Sequence, residues 1–163
     1  MKPVVAHTRI SASPEVVRAK FLDFSSLESY KPTFIQSVTL VDKSKSPSEL
    51  VPGDKLICIL DGRRLDATVA TNTSSCFSWT GTLMKVLSGT HQFRFESAEN
   101  GQATDFFHEE TFTGPLSWML DDTFLARRMG VRAQVVNNYE GFNVDFKKWV
   151  ESSQCSGPSD SKI

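Results

Sequence analysis

The chain contains no long apolar run. None of its 163 residues falls in a stretch near the roughly 18 consecutive apolar positions that a membrane-spanning helix needs. The opening Met1 to His7 is too poor in apolar residues for a secretory signal, so a cytoplasmic protein with no stable membrane insertion is expected. Charge of one sign is also missing: 18 basic and 19 acidic residues give a formal net charge of -1. They are spread along the sequence, which leaves neither a basic face for nucleic acid nor a polybasic arm for anionic lipid. Cysteine is scarce. Cys58, Cys76 and Cys155 are odd in number and share no ligand spacing, so reduced thiols are expected. There is no His-x-x-x-His or Cys-x-x-Cys for a metal, and Gly114, Gly130 and Gly141 are isolated rather than gathered into a phosphate loop. No metal and no cofactor is expected.

What is present is alternation. Gly89 to Gly114 holds two alternating runs around Glu99-Asn100-Gly101. Because strand side chains point to opposite faces in turn, His91, Phe93 and Phe95 share one side of the first run. Thr104, Phe106, His108, Glu110 and Phe112 share one side of the second. The more aromatic face is expected to be the buried one, which carries two histidines and a glutamate inward among phenylalanines. Ionisable groups are seldom buried without partners, so these strands either hide a hydrogen-bonded cluster or line a cavity that something enters.

The remaining elements follow in order. Val4 to Ile10 reads as a strand. Ser13 can cap a helix with Pro14 at its first position and Val17, Phe21 and Leu22 on its apolar side. A second short helix with Leu27 and Tyr30 ends at Lys31-Pro32. Phe34 to Val41 is a strand, and Asp42 to Pro52 an exposed loop. Lys55 to Leu60 and Arg64 to Thr71 flank Asp61-Gly62, a dipeptide suited to a tight hairpin turn with positive φ at both positions. Cys76 to Leu83 alternates again. From Leu116 to about Ser152 the spacing of Leu120, Phe124, Val131, Val135, Tyr139, Phe142, Phe146 and Trp149 is helical. One helix of that length would be about 50 Å long at 1.5 Å per residue, so a break near Gly130 or Gly141 is expected. This gives an α+β domain over 1–152: seven antiparallel strands curled round a long C-terminal helix, with two short helices after the first strand. The Ser-, Gly- and charge-rich residues 153–163 are expected to be a disordered tail.

Several strings in this order resemble the START-like superfamily known as SRPBCC, whose fold is called the helix-grip. Ser13-Pro14-Glu15-Val16-Val17 resembles its entry to the first helix, and Asp23-Phe24 with Tyr30-Lys31-Pro32 resembles its helix exit. Pro52-Gly53-Asp54 is similar to the turn that opens its third strand. Trp79-Thr80-Gly81, Gly89-Thr90-His91-Gln92-Phe93 and His108 to Gly114 resemble strings of its cyclase/dehydrase-like members. The resemblance covers about residues 4–150 and implies a hollow interior. It also implies an apolar small-molecule ligand of polyketide, lipid or sterol type. Members include carriers, sensors, partners of other proteins and enzymes, so it does not select among them. Monomer and homodimer are both compatible with it.

Two kinds of site follow. His91, His108 and Glu110 could act as acid and base, because an imidazole titrates near neutral pH and burial among phenylalanines disfavours the charged form of a carboxylate. Such a set could remove a proton next to a ketone and protonate the hydroxyl that results. It could equally be a structural hydrogen-bond network, or touch a ligand passively. The aromatic residues Phe77, Trp79, Phe93 and Phe95, with Phe106 and Phe112, and Phe142 and Phe146 from the helix, could wall a flat apolar ligand or fill the core. Asn138 and Tyr139 could add hydrogen bonds. Arg63, Arg64 and Asp66 read as surface, and His7 as edge or surface.

Overall fold

The computed structural model describes residues 2–83, 87–115, 117–120 and 128–154. Seven strands form one antiparallel sheet: β1 Val4–Ile10, β2 Ile35–Leu40, β3 Lys55–Leu60, β4 Arg63–Asn72, β5 Cys76–Leu83, β6 Leu87–Ala98 and β7 Ala103–Thr113. Their order is β1-β7-β6-β5-β4-β3-β2. Helices α1 (Pro14–Leu22) and α2 (Leu27–Tyr30) follow β1, joined by a 3-10 turn at Phe24–Ser26, and α3 runs from Val131 to Gln154. This is the α+β helix-grip architecture expected from the sequence.

The local signals in the sequence are largely realised in the backbone. Asp61 (φ 48°) and Gly62 (φ 74°) both take the left-handed conformation, which a two-residue turn needs to match the twist of β3 and β4. Ser13 stands at the N-cap of α1 with extended backbone, but its side chain makes no capping bond; Pro14 and Glu15 supply the start signal. The loop after β2 is more ordered than its composition suggests, because Ser46 and Glu49 close a capping box around a short 3-10 turn at Pro47–Glu49. The break before the long helix falls at Gly130 (φ 68°). At Gly141 the helix is continuous, and the missing side chain instead admits Thr33 Oγ1, which would sit 3.1 Å from a Cβ there. Leu116, Phe124 and the tail from 155 onward, including Cys155, lie outside the described residues.

The sheet is strongly curled. Five strand steps separate β7 from β2, about 24 Å in a flat sheet at 4.8 Å per step. Yet Phe34, at the start of β2, has its ring centroid 6.1 Å from that of His108 on β7 and 5.2 Å from that of Tyr139 on α3. The far edge of the sheet therefore closes over the helix. Inside the curl, the α1 side is filled by Phe21, whose ring lies 4.4 Å from Phe93, 5.6 Å from Phe95 and 5.9 Å from Phe146. At the other edge β1 pairs with β7 and packs against α3, and exposed His7 and Arg9 hold Asp105 of β7 at 2.8 and 2.9 Å. Among the described residues no helix is long and apolar enough to cross a membrane.

Candidate functional site

Away from the Phe21 plug, the space between sheet and helix stays unfilled. A cavity of about 320 Å³ opens between the β3–β4 hairpin, the start of β6 and the first turns of α3. Its apolar wall includes Phe34, Leu60, Leu65, Leu87, Val131 and Val135. Two strand glycines, Gly81 on β5 and Gly89 on β6, are register partners and share this wall. They are small for a reason of space. A Cβ on Gly81 would come within 2.5 Å of the Leu65 side chain, and a Cβ on Gly89 within 1.9 Å of Glu110 Oε1. The Glu110 carboxylate thus occupies the volume that a side chain at position 89 would take.

At the inner end of the cavity stands a line of three buried groups. The register of β6 on β7 sets His91 opposite Glu110 and Phe93 opposite His108. His91 Nε2 is 2.9 Å from Glu110 Oε1, and His91 Nδ1 is 3.4 Å from His108 Nε2. Burial decides which way the protons point. His108 is wholly buried, and that desolvation, followed by the neighbouring His91 ring, holds its pKa well below the usual histidine value, so it is neutral. Its Nδ1 has no hydrogen-bond partner. A proton there would be a buried, unsatisfied N–H, so the proton belongs on Nε2, which donates to His91 Nδ1. His91 Nε2 then donates to Glu110, and the chain of donors ends on the carboxylate. Tyr139 lies flat on His108 with centroids 4.0 Å apart and fixes that ring. Glu110 lines the cavity, and its Oε2 accepts no hydrogen bond from the described residues.

Of the residues singled out from the sequence, His91, Glu110, Phe112 and Tyr139 border this cavity. His108 lies behind His91, is not among the lining residues, and meets the site only through its contact with His91. Phe77, Trp79, Phe93, Phe95, Phe106, Phe142 and Phe146 pack into the core cluster instead. Of the two roles open to them, core and cavity wall, they take the first, packed round Phe21, and the apolar part of the cavity wall is formed by five aliphatic side chains with Phe34, Phe112 and Tyr139. Asn138 lines the cavity, as do Asp61 of the turn and Arg63 and Arg64, which are exposed as the sequence suggests and border its mouth. The thiol of Cys58, pushed by burial up to about 12, is unreactive core. Among the described residues no group of acids, histidines and cysteines could hold a metal.

A family model described as polyketide cyclase / dehydrase and lipid transport matches residues 1–147. The chain belongs to that family. The START-like resemblance seen in the sequence strings is thereby borne out, and family and fold are those of a hydrophobic-ligand-binding domain. Solved structures agree on the fold. A hypothetical protein from Helicobacter pylori superimposes with a TM-score of 0.69 at 13% identity, covering 91% of this chain and 88% of that one. A START superfamily protein from Mycobacterium smegmatis gives 0.64 at 11%, over 93% and 98%. Ara h 8.0201 gives 0.65 at 13%, over 93% and 98%. No curated protein matches the sequence.

The neutral state of His108 has a consequence for stability. Its folded pKa is depressed, so the unfolded chain binds a proton that the folded chain refuses once the pH falls below about 6.5. Stability is then full above that pH and declines by up to about 1.4 kcal/mol per pH unit below it. Urea unfolding at pH 7 and pH 5 is expected to show this loss in the wild type and a flatter profile in His108→Gln. Equal profiles would contradict the assignment.

Proposed function

We propose that this family member binds an apolar small molecule in the cavity between the β3–β4 hairpin and α3, with an oxygen function of the ligand turned toward Glu110 and His91. The observation that carries this reading is the combination in one space of an aliphatic wall with a buried carboxylate that has one oxygen left over. A ligand site needs that pairing: apolar area for affinity and a few convergent polar groups for orientation. The volume, about 320 Å³, falls at the small end of the roughly 300–1,000 Å³ typical of such sites and suits a short acyl chain or a small ring system. Titration with the apolar fluorophore N-phenylnaphthylamine is the test. Wild type is expected to bind, and Val135→Trp, which fills the space from α3, to bind at least about tenfold more weakly with its melting temperature little changed. Equal affinities would place the probe elsewhere and remove the support for this cavity.

A second reading, acid-base catalysis on the same ligand, is favoured by the donor chain itself. Glu110 Oε2 is positioned as an acceptor for a proton on a carbon next to a carbonyl, and His91 and His108 fix the carboxylate from behind. Cyclisation, dehydration and isomerisation of polyketide-type molecules all begin with such a transfer. Deuterium exchange next to the carbonyl of a small bound ketone is expected to fall by at least about 100-fold in Glu110→Gln. Exchange that persists unchanged in that variant would leave the protein a carrier.

A further inference from the structure

We propose that the occupant of the cavity is an amphipathic anion, whose apolar part lies inside and whose carboxylate or phosphate is held at the mouth by Arg63 and Arg64. The proposal rests on the cavity being a ligand site and adds the chemical class and direction of the ligand.

Both arginines are exposed, lie at the start of β4, and border the cavity. Arg63 has no carboxylate partner among the described residues. Arg64 gives Nε and Nη2 to Asp66 at 3.1 and 2.9 Å, and its Nη1 is uncommitted. Guanidinium donors in a fixed fork match carboxylate and phosphate oxygens. The hairpin that carries them is pinned: Asp61 N–H donates to the Phe34 carbonyl at 2.9 Å, and Gly62 N–H to Gln36 Oε1 at 2.9 Å. The described acids on the cavity wall are Asp61, beside these arginines, and Glu110, at the inner end. A ligand anion cannot lie against the Glu110 carboxylate without meeting a like charge in a buried setting. Only a neutral oxygen function suits that end, so the anionic end must face outward, where the guanidinium donors are. Asp61 opposes the anion and sets a limit on its affinity.

The test compares dodecanoic acid, dodecyl phosphate and dodecanol, all below their micelle concentrations, by displacement of N-phenylnaphthylamine. Wild type is expected to bind at least one of the two anions about five- to tenfold more tightly than the alcohol, an advantage that shrinks with added salt. Arg63→Gln with Arg64→Gln removes that advantage and leaves dodecanol unchanged. Asp61→Asn increases it. An advantage for the carboxylate alone assigns a free acid as the natural ligand; one that includes the phosphate assigns a phosphorylated molecule; both support the anion site. Alcohol and anions binding alike in wild type, or an anion advantage that survives the double substitution, would overturn it while the cavity reading stands. Failure of all three to bind would overturn the cavity reading as well.

Discussion

Phe93→Ala is expected to destabilise the protein by about 3–5 kcal/mol, the range for emptying a fully buried aromatic site. Phe93 is completely buried, and its ring meets α1 and both neighbouring strands, with centroids 4.4 Å from Phe21 of α1, 5.0 Å from Trp79 of β5 and 4.6 Å from His108 of β7. These neighbours are held by separate backbone elements and cannot all move in to refill the space, which places the loss toward the upper half of the range. The hole would also lie beside His108 and loosen the ring that fixes His91. Urea unfolding should therefore report a large fall in midpoint, accompanied by weaker probe binding. A loss below about 1 kcal/mol would mean that the plug formed by Phe21 is not the tightly packed body described above.

Gly89→Ala is expected to cost about 2–4 kcal/mol and to disable the site. The new methyl would lie 1.9 Å from Glu110 Oε1 and 2.9 Å from its carboxyl carbon, so the carboxylate must swing away from His91. A glycine in a strand gains up to about 1 kcal/mol from a methyl group where space allows. Here that gain is outweighed by the broken buried pair, which leaves a carboxylate and an imidazole N–H without each other. The mechanism makes the cost conditional. In a Glu110→Ala background the obstructing atoms are gone, and the same Gly89→Ala change should be neutral or stabilising. A double-mutant cycle by urea unfolding reads this directly. Additive effects would show that position 89 acts on stability by a route other than Glu110.

Which parts of this arrangement were legible in the sequence follows from what a period-two pattern encodes. It assigns faces. It put His91, Glu110 and the phenylalanines on the concave side, and the turn chemistry of Asp61-Gly62 located the hairpin. It does not say what stands opposite each inward residue, since that depends on how far the sheet curls and where α1 lands. Phe21, an apolar position on a short helix, packs against the aromatic residues of β5, β6 and β7 and so decides between the two roles the alternation allows them, core rather than cavity wall. Arg63 and Arg64 are exposed, as their place beside the turn suggests, but the cavity they border was not legible. They start a strand beside a turn, where alternation gives no information about a mouth formed with a helix remote in the chain. Gly81 and Gly89 interrupt two strands that otherwise carry side chains throughout, and a glycine inside a strand marks a close approach. Reading them as a pair required only the register of the β5–β6 hairpin.

On the proposed reading an apolar molecule enters between the β3–β4 hairpin and α3 and stops at Glu110 and His91. Backbone amide NMR of the unmodified protein during titration with dodecanol tests it most directly. The expected result is saturable shifts concentrated at Leu65, Gly81, Gly89, His91 and Val135, with little change at the exposed apolar residues Val41, Val51 and Val144. Shifts confined to those surface positions, or none at all, would contradict it.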